Sequence, residues 1–200
     1  MRHGIQAERC IGCRLHTAVC ICSEVEAAAT RLQGLLRTRV VLVTHAKELR
    51  RSTNTGFLLE RVLRCEVRVR GAMDQDCELW DLVAPGAEAL MLYPEEDGRV
   101  LAVGDRPSCL VVADGSWRQA TRMVNRDPAL SRLERVTLPP GPPGRYRLRE
   151  APRADGLCTL EAVARALELT EGERGPELRS GLETLLDAQV RATLQMRGQG

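Results

Sequence analysis

Three short runs constrain the fold more than anything else in this chain: "RVVLVTH" (39–45), "AEALMLY" (87–93) and "CLVVAD" (109–114). A strand with one face in water alternates apolar and polar residues, whereas these runs are apolar at consecutive positions. Strands of that kind are covered on both faces, which is the situation of a parallel sheet sandwiched by helices. The intervening sequence supplies the helices. "NTGFLLERVL" (54–63), the stretch from Trp117 to Val124 and "LCTLEAVARALEL" (157–169) space their apolar residues by three and four. A last amphipathic helix is expected from Pro176 to about Met196, with proline in its first turn. "CEVRVRG" (65–71) alternates as a strand ending at Gly71, and "RVTL" (135–138) gives another before the loop "PPGPPG". "SEVEAAATRLQGLL" reads as a weak helix or linker, and no internal repeat is present.

The predicted architecture is therefore α/β on a largely parallel sheet. At 200 residues and 44% hydrophobic, the chain suffices for one main domain with a small appendage. The boundaries expected are 1–30 for an N-terminal knuckle and 31–200 for the α/β domain. A formal net charge of +2 announces no nucleic-acid partner by itself, so any basic surface must be local. Lys47 is the sole lysine; arginine suits phosphate recognition, although a GC-rich codon bias explains the excess as well. No apolar run reaches the length of a signal peptide or a membrane span, so a cytoplasmic protein with no membrane partner is expected. The sequence carries no signature of oligomeric state.

The appendage is defined by Cys10-x2-Cys13-x6-Cys20-x-Cys22. Zinc takes four soft ligands on a tetrahedron, and two closely spaced cysteine pairs supply them from a short loop. Four filled positions leave no room for substrate, so such an ion would be structural. A redox dithiol at Cys10 and Cys13 is the alternative, but it leaves Cys20 and Cys22 unexplained; His16 is either a substitute ligand or a loop residue. The dispersed Cys65, Cys77, Cys109 and Cys158 read as small core residues.

In open parallel sheets, ligands bind beyond the carboxyl ends of the strands. Three predicted strands end in Thr44-His45, in Tyr93-Pro94 and in Asp114-Gly115-Ser116-Trp117, which makes these residues the first suspects. Several chemistries are disfavoured. No G-x-G-x-x-G follows the first strand, Lys47 follows no glycine-rich loop, and no serine sits in a G-x-S-x-G elbow.

"CIGCRLHTAVCIC" (10–22), "THAKELRRSTNTG" (44–56), "LYP" (92–94), "ADGSWRQATRM" (113–123), "RYRLRE" (145–150) and "LCTLEAVARAL" (157–167), in this order, resemble the DTW-domain family of tRNA-uridine aminocarboxypropyltransferases. The resemblance spans about residues 10 to 170, and its specificity lies in the ordered set. It implies a SPOUT-like fold with a C-terminal knotted cofactor pocket. It also implies transfer of the 3-amino-3-carboxypropyl group from S-adenosylmethionine to N3 of a uridine in tRNA, releasing 5′-methylthioadenosine. Two alternatives stay open: a SPOUT-type RNA methyltransferase using the same cofactor, and a zinc-knuckle RNA-binding protein without catalysis.

Set against that chemistry, each residue has a functional and a structural reading. Uridine N3 is a weak acid, so a base that removes its proton helps, and Asp114 is the candidate; the rival reading makes Asp114 the cap of the following helix. Ser116 keeps the hydroxyl of the threonine usual in the family. Trp117 is placed to stack on adenine or the target base, or is a core aromatic. Leu92, Tyr93, Pro94 and Gly115 are candidates to border the cofactor. Thr159 and Glu161 open a helix whose N-terminus would take the methionyl carboxylate while Glu161 meets the ammonium, or else they are an ordinary cap and an acidic first turn. Arg50, Arg51, Arg118, Arg122, Arg147 and Arg149 are the candidate tRNA contacts, against the reading of solvated surface residues. His45 is a second proton handler or a structural hydrogen-bond partner, with Asn54 and Thr55 polar neighbours in the same motif. Gly144 stands where the family often has serine, which puts a cofactor contact by that loop in doubt.

Overall fold

The computed structural model describes residues 8–71, 82–83, 86–149 and 156–198; Cys77 lies outside them. Its strands are β1 (Arg39–His45), β2 (Glu66–Arg70), β3 (Ala89–Leu92), β4 (Arg99–Val100), β5 (Cys109–Asp114) and β6 (Glu134–Thr137). They form one six-stranded sheet in the order β2-β1-β5-β3-β6-β4, with every neighbouring pair parallel. The helices are α1 (Cys22–Leu32), α2 (Gly56–Leu63), α3 (Trp117–Arg126), α4 (Pro128–Ser131), α5 (Thr159–Thr170) and α6 (Gly175–Met196).

Because successive side chains leave a strand on opposite faces, the consecutive apolar residues divide between two layers. Val40, Leu42, Leu90, Leu110 and Val112 pack under α1, α2, α5 and α6. Val41, Val43, Met91, Cys109 and Val111 pack against Met123 and Val124 of α3 and Leu130 of α4. The α/β class with a parallel sheet is thus as the apolar runs predict, and β1 and β5 occupy the expected residues. Cys65 and Cys109 are buried core residues, as expected.

Several boundaries differ from expectation. The weak stretch after the knuckle is a full helix, α1, closed on the core by Val25 and Leu32. Strand β4, two exposed residues long, has too short a pattern to be read from sequence. Helix α4 is set by Asp127, whose carboxylate accepts the Ala129 N–H at 2.9 Å, with Pro128 in the first turn. Leaving β6, the chain returns over the ends of the inner strands, and Tyr146 donates its hydroxyl to the Thr53 carbonyl at 2.6 Å before α5 begins. That return closes a cavity over the carboxyl edge of the sheet. No helix among the described residues is long and apolar enough to cross a membrane.

Candidate active site

The register of β1 against β5 sets Thr44, next to last in its strand, beside Asp114, the last residue of the neighbouring one. Asp114 is buried, with 3% of its surface exposed. Its Oδ2 accepts from Thr44 Oγ1 at 3.2 Å and from Asn54 Nδ2 at 2.6 Å, and its Oδ1 accepts from Thr159 Oγ1 at 2.8 Å. Asn54 is itself fixed, because its Oδ1 accepts the Phe57 N–H at 2.7 Å at the start of α2. Gly56 must be glycine: a Cβ there would lie 2.6 Å from the Asp114 carboxyl carbon.

Burial pushes the Asp114 carboxyl above the ordinary aspartate range, and the nearby Glu48 charge adds to the rise. Donors from Asn54, Thr159 and Thr44 oppose it by favouring the anion. Such a buried, raised carboxyl at a cavity wall is the profile of a proton acceptor. The helix-capping reading of Asp114 does not hold. Ser116 caps α3, accepting from Gln119 N at 3.4 Å, while Gln119 Oε1 accepts from Ser116 N at 2.7 Å.

Asp114 lies in the wall of a cavity of about 420 Å³, a size ordinary for a site that holds a small molecule. Leu92, Tyr93 and Pro94 line it from the end of β3, Gly115, Ser116 and Trp117 from the start of α3, and Thr159 from the start of α5. Trp117 is half-buried and lines the cavity. Tyr93 donates to Thr121 Oγ1 at 3.1 Å and carries the Arg135 guanidinium 5.7 Å from its ring centre.

Two expectations at the start of α5 are corrected. Thr159 is not the N-cap. Cys158 takes that place, leaving the Thr159 hydroxyl to reach Asp114. Glu161 is buried and is not a lining residue of the cavity. Its carboxylate accepts from Arg145 N at 2.5 Å, Tyr146 N at 3.3 Å and Cys158 N at 3.0 Å, pinning the 144–146 loop to the helix instead of facing an ammonium. Gly144 belongs to the same junction: a Cβ there would meet the Gly156 carbonyl oxygen at 2.8 Å and Glu161 Oε2 at 2.9 Å. No serine fits at this position without a shift in the loop, so the missing hydroxyl follows from the packing.

Among the arginines, Arg50, Arg51, Arg118, Arg122 and Arg147 are exposed. Arg149 is different. It reaches Thr53 Oγ1 at 2.8 Å and pairs at 2.7 Å with Glu48, whose side chain is fully buried, and it lines the cavity. His45 Nδ1 accepts the Lys47 N–H at 3.2 Å, a structural partnership, and the ring faces a groove outside the cavity.

Several wall residues escaped the sequence reading: Thr53, Tyr146 and Arg165, the last bonded to the Pro142 carbonyl at 2.6 Å; Cys158, expected as a small core residue, is in the wall as well. Tyr146 sits between arginines in a quoted motif, but its partner, the Thr53 carbonyl, is a backbone group with no sequence signature. Gln189 of α6 also went unremarked; it donates to the carbonyls of Ser52 and Asn54 at 3.0 and 3.3 Å, bracing the loop that carries Asn54.

The four cysteines converge, with all Sγ atoms within 4.8 Å of one another. Separations of 3.5 Å for Cys10–Cys22 and Cys10–Cys20, and 3.6 Å for Cys13–Cys20, approach the edge of about 3.8 Å that Zn–S bonds of about 2.3 Å require. The donor set fits a zinc ion, and all four thiols share one centre, as a dithiol at Cys10 and Cys13 would not. His16 is not in the group. The knuckle is joined to the rest of the protein by more than its tether. Leu15 and Ile21 enter the main core, Arg61 donates to the Gly12 carbonyl at 3.3 Å, and the Arg14 guanidinium lies 4.0 Å from the Phe57 ring centre.

A family model described as DTW domain matches residues 7–194. The chain is 30% identical over 182 residues to tRNA-uridine aminocarboxypropyltransferase 2 of Drosophila melanogaster, covering 87% of this chain and 70% of the fly protein. With the Mus musculus protein of the same name it shares 26% over 181 residues, covering 86% of this chain and 59% of the mouse protein. A solved structure of the SAM-dependent rRNA:acp-transferase Tsr3 from Vulcanisaeta distributa superposes with a TM-score of 0.46 at 17% identity, covering 78% of this chain and 100% of that one.

Proposed function

The chain belongs to the DTW-domain family, and from that premise we propose that it transfers the 3-amino-3-carboxypropyl group of S-adenosylmethionine to N3 of a uridine in tRNA. The curated relatives carry that activity in their names. In this chain, the observation that carries the reading is Asp114: a buried carboxyl with a raised pKa, in the wall of a ligand-sized cavity at the sheet's carboxyl edge.

Bound S-adenosylmethionine supplies an electrophilic carbon, the γ-carbon of its methionyl chain, whose bond to sulfur breaks as the bond to N3 forms and methylthioadenosine leaves. The protein's part is to hold and deprotonate. Asp114 accepts the N3 proton, and its raised pKa brings the carboxyl closer to the acidity of the group it must deprotonate. Thr44, Asn54 and Thr159 keep the carboxylate oxygens in place through the transfer. Trp117 offers a stacking face, and Leu92, Tyr93 and Pro94 add a border from the end of β3.

The start of α5 suits the methionyl carboxylate. Leu160 N is taken by Thr55 Oγ1 at 3.3 Å and the Glu161 N–H by Cys158, so the Thr159 N–H is left in the first turn without an acceptor among the described residues. The crossing of the 137–146 segment over the strand ends is, in this reading, the knotted pocket of a SPOUT-like fold. Residues 1–30 then form a zinc knuckle, with Cys10, Cys13, Cys20 and Cys22 as ligands, on a catalytic domain of residues 31–200. Zinc would fix the knuckle's shape and take no part in transfer.

The test is product identification. Purified protein with S-adenosylmethionine and unmodified tRNA is expected to release methylthioadenosine and to add the aminocarboxypropyl mass to a uridine. Release of S-adenosylhomocysteine would mean methyl transfer. RNA binding with no calorimetric heat from the cofactor would leave a non-catalytic RNA-binding protein.

A further inference from the structure

A second depression, of about 600 Å³, lies on the other flank of the α3 N-terminus. Its floor comes from the exits of β1 and β2, with Lys47 and Arg70, and its wall from one face of α3, with Arg118, Arg122 and Arg126. Ser116 lines both this groove and the transfer cavity, so the two hollows share a wall one residue thick.

Among the described residues, the groove lining carries more positive than negative charge. Among the described residues Asp127 is the one carboxylate lining it, and it is already paired with Arg70. The side chains of Lys47, Arg118, Arg122 and Arg126 have no hydrogen-bond or ion-pair partner among the described residues, and three of the four follow one another at four-residue intervals on α3. Other surface arginines are paired, Arg99 with Asp105 and Glu134, Arg135 with Glu95, and Arg179 with Glu168 and Glu183, or stand singly like Arg50 and Arg147; the groove is set apart by gathering its unpaired cations on one face. Like charges one helical turn apart weaken a helix, and a bound run of anions relieves that repulsion. The helical rise sets Arg118, Arg122 and Arg126 about 6 Å apart along the axis, which suits a run of anionic groups better than a single one.

We propose that this groove is the track for the phosphodiester backbone of the RNA strand that carries the target uridine, the base turning out of its stack and entering the cavity past Ser116. The proposal rests on the transferase reading for the identity of the base, and on the groove itself for the phosphates. Enzymes that act on a base take it out of the stack, and they need the flanking backbone held while they do so. Contacts of this type position RNA without reading sequence, so the choice of uridine lies elsewhere on the protein.

The test is a salt series of tRNA affinity, by filter binding, for the wild type and for the double substitution Arg118→Ser with Arg122→Ser. Both side chains are exposed, and melting temperature and S-adenosylmethionine affinity serve as controls of fold. The double variant is expected to bind tRNA about tenfold more weakly or worse, with the slope of log affinity against log salt reduced by about two. The paired Arg→Lys variant is expected to keep most of the affinity and the slope, because a phosphate accepts a point charge; a roughly tenfold loss of affinity there at unchanged slope would indicate base-edge recognition and overturn the assignment. Unchanged affinity and slope in the serine variant would also overturn it. The two readings fail separately. Groove-dependent RNA binding with no methylthioadenosine would remove the transferase and keep the track, while methylthioadenosine release with a groove-independent slope would do the reverse.

Discussion

Thr159 donates its hydroxyl to Asp114 at 2.8 Å, joining the first turn of a helix to the end of a strand 45 residues earlier in the chain. The same carboxylate draws Thr44 from a neighbouring strand and Asn54 from the loop before α2. Three separate stretches are therefore held in register by one buried charge, and the cavity exists between them.

Asp114→Asn removes the charge and keeps the shape. If Asp114 takes the N3 proton, kcat falls by about a hundredfold or more in single-turnover assays. The same substitution changes pH stability in a set direction. Burial holds the folded-state pKa above that of the unfolded chain, so between the two values the folded protein binds the extra proton. The cost of the buried charge is then absent below the unfolded pKa and complete above the folded one, and wild-type stability falls as pH rises through that window. Denaturant melts across pH are expected to show this fall in the wild type and a flatter profile in the asparagine variant. Transfer at the wild-type rate by the variant would remove Asp114 from the chemistry.

Thr159→Val deletes one donor to the anion with little change in volume. Hydrogen bonds to charged groups contribute about 1.5–3 kcal/mol, so a loss of stability in that range is expected. Losing a donor also favours the protonated acid. The acidic limb of the kcat/KM profile should therefore move to higher pH, a displacement that a purely structural defect would not cause.

Arg149 and the other candidate RNA arginines separate by stability. Arg149→Ala leaves the fully buried Glu48 without its 2.7 Å partner. Breaking a buried pair costs about 3–5 kcal/mol, and the partial exposure of Arg149 brings the expectation to about 2–3. Arg50→Ala and Arg147→Ala, at exposed positions, should change stability by less than about 0.5 kcal/mol. Equal melting temperatures for all three would contradict the assignment of Arg149 as a brace of the cavity wall.

One zinc per chain is expected by atomic absorption, lost in Cys13→Ser. Because Leu15 and Ile21 belong to the main core, chelation should lower the melting temperature of the whole protein in a single transition. Persistence of the main transition with a separate loss of the N-terminal segment would show that the knuckle is independent of the core.

Sequence patterns carried the sheet well, because apolar runs such as Val40–Val43 and Leu110–Val112 have one physical explanation, burial on both faces. Strand-end logic likewise led to Tyr93, Pro94, Asp114 and Trp117, and the start of the following helix to Thr159, all of which line the cavity. What failed was the direction of individual polar side chains. Glu48, within the polar run "THAKELRR", looks solvated and is fully buried; one partner, Arg51, is local at 3.5 Å, but the shorter pair, with Arg149 101 residues away in the chain, is made only by the fold. Glu161 fitted the spacing of an acidic first turn, but which acceptor it offers to which N–H depends on a loop whose path the sequence does not set. Gly144 reads as a missing hydroxyl until the carbonyl of Gly156 is seen beside it.

The circle of donors around position 114 bears on how this polypeptide is made. Synthesis proceeds from the N-terminus, so the knuckle and the first strands emerge while Thr159 is still unmade, and an aspartate awaiting its last partner stands open to water. A chain halted by the ribosome after Thr137 but short of that threonine would hold every strand of the sheet but no vessel for the donor, and so no power to alkylate the RNAs crowding around it.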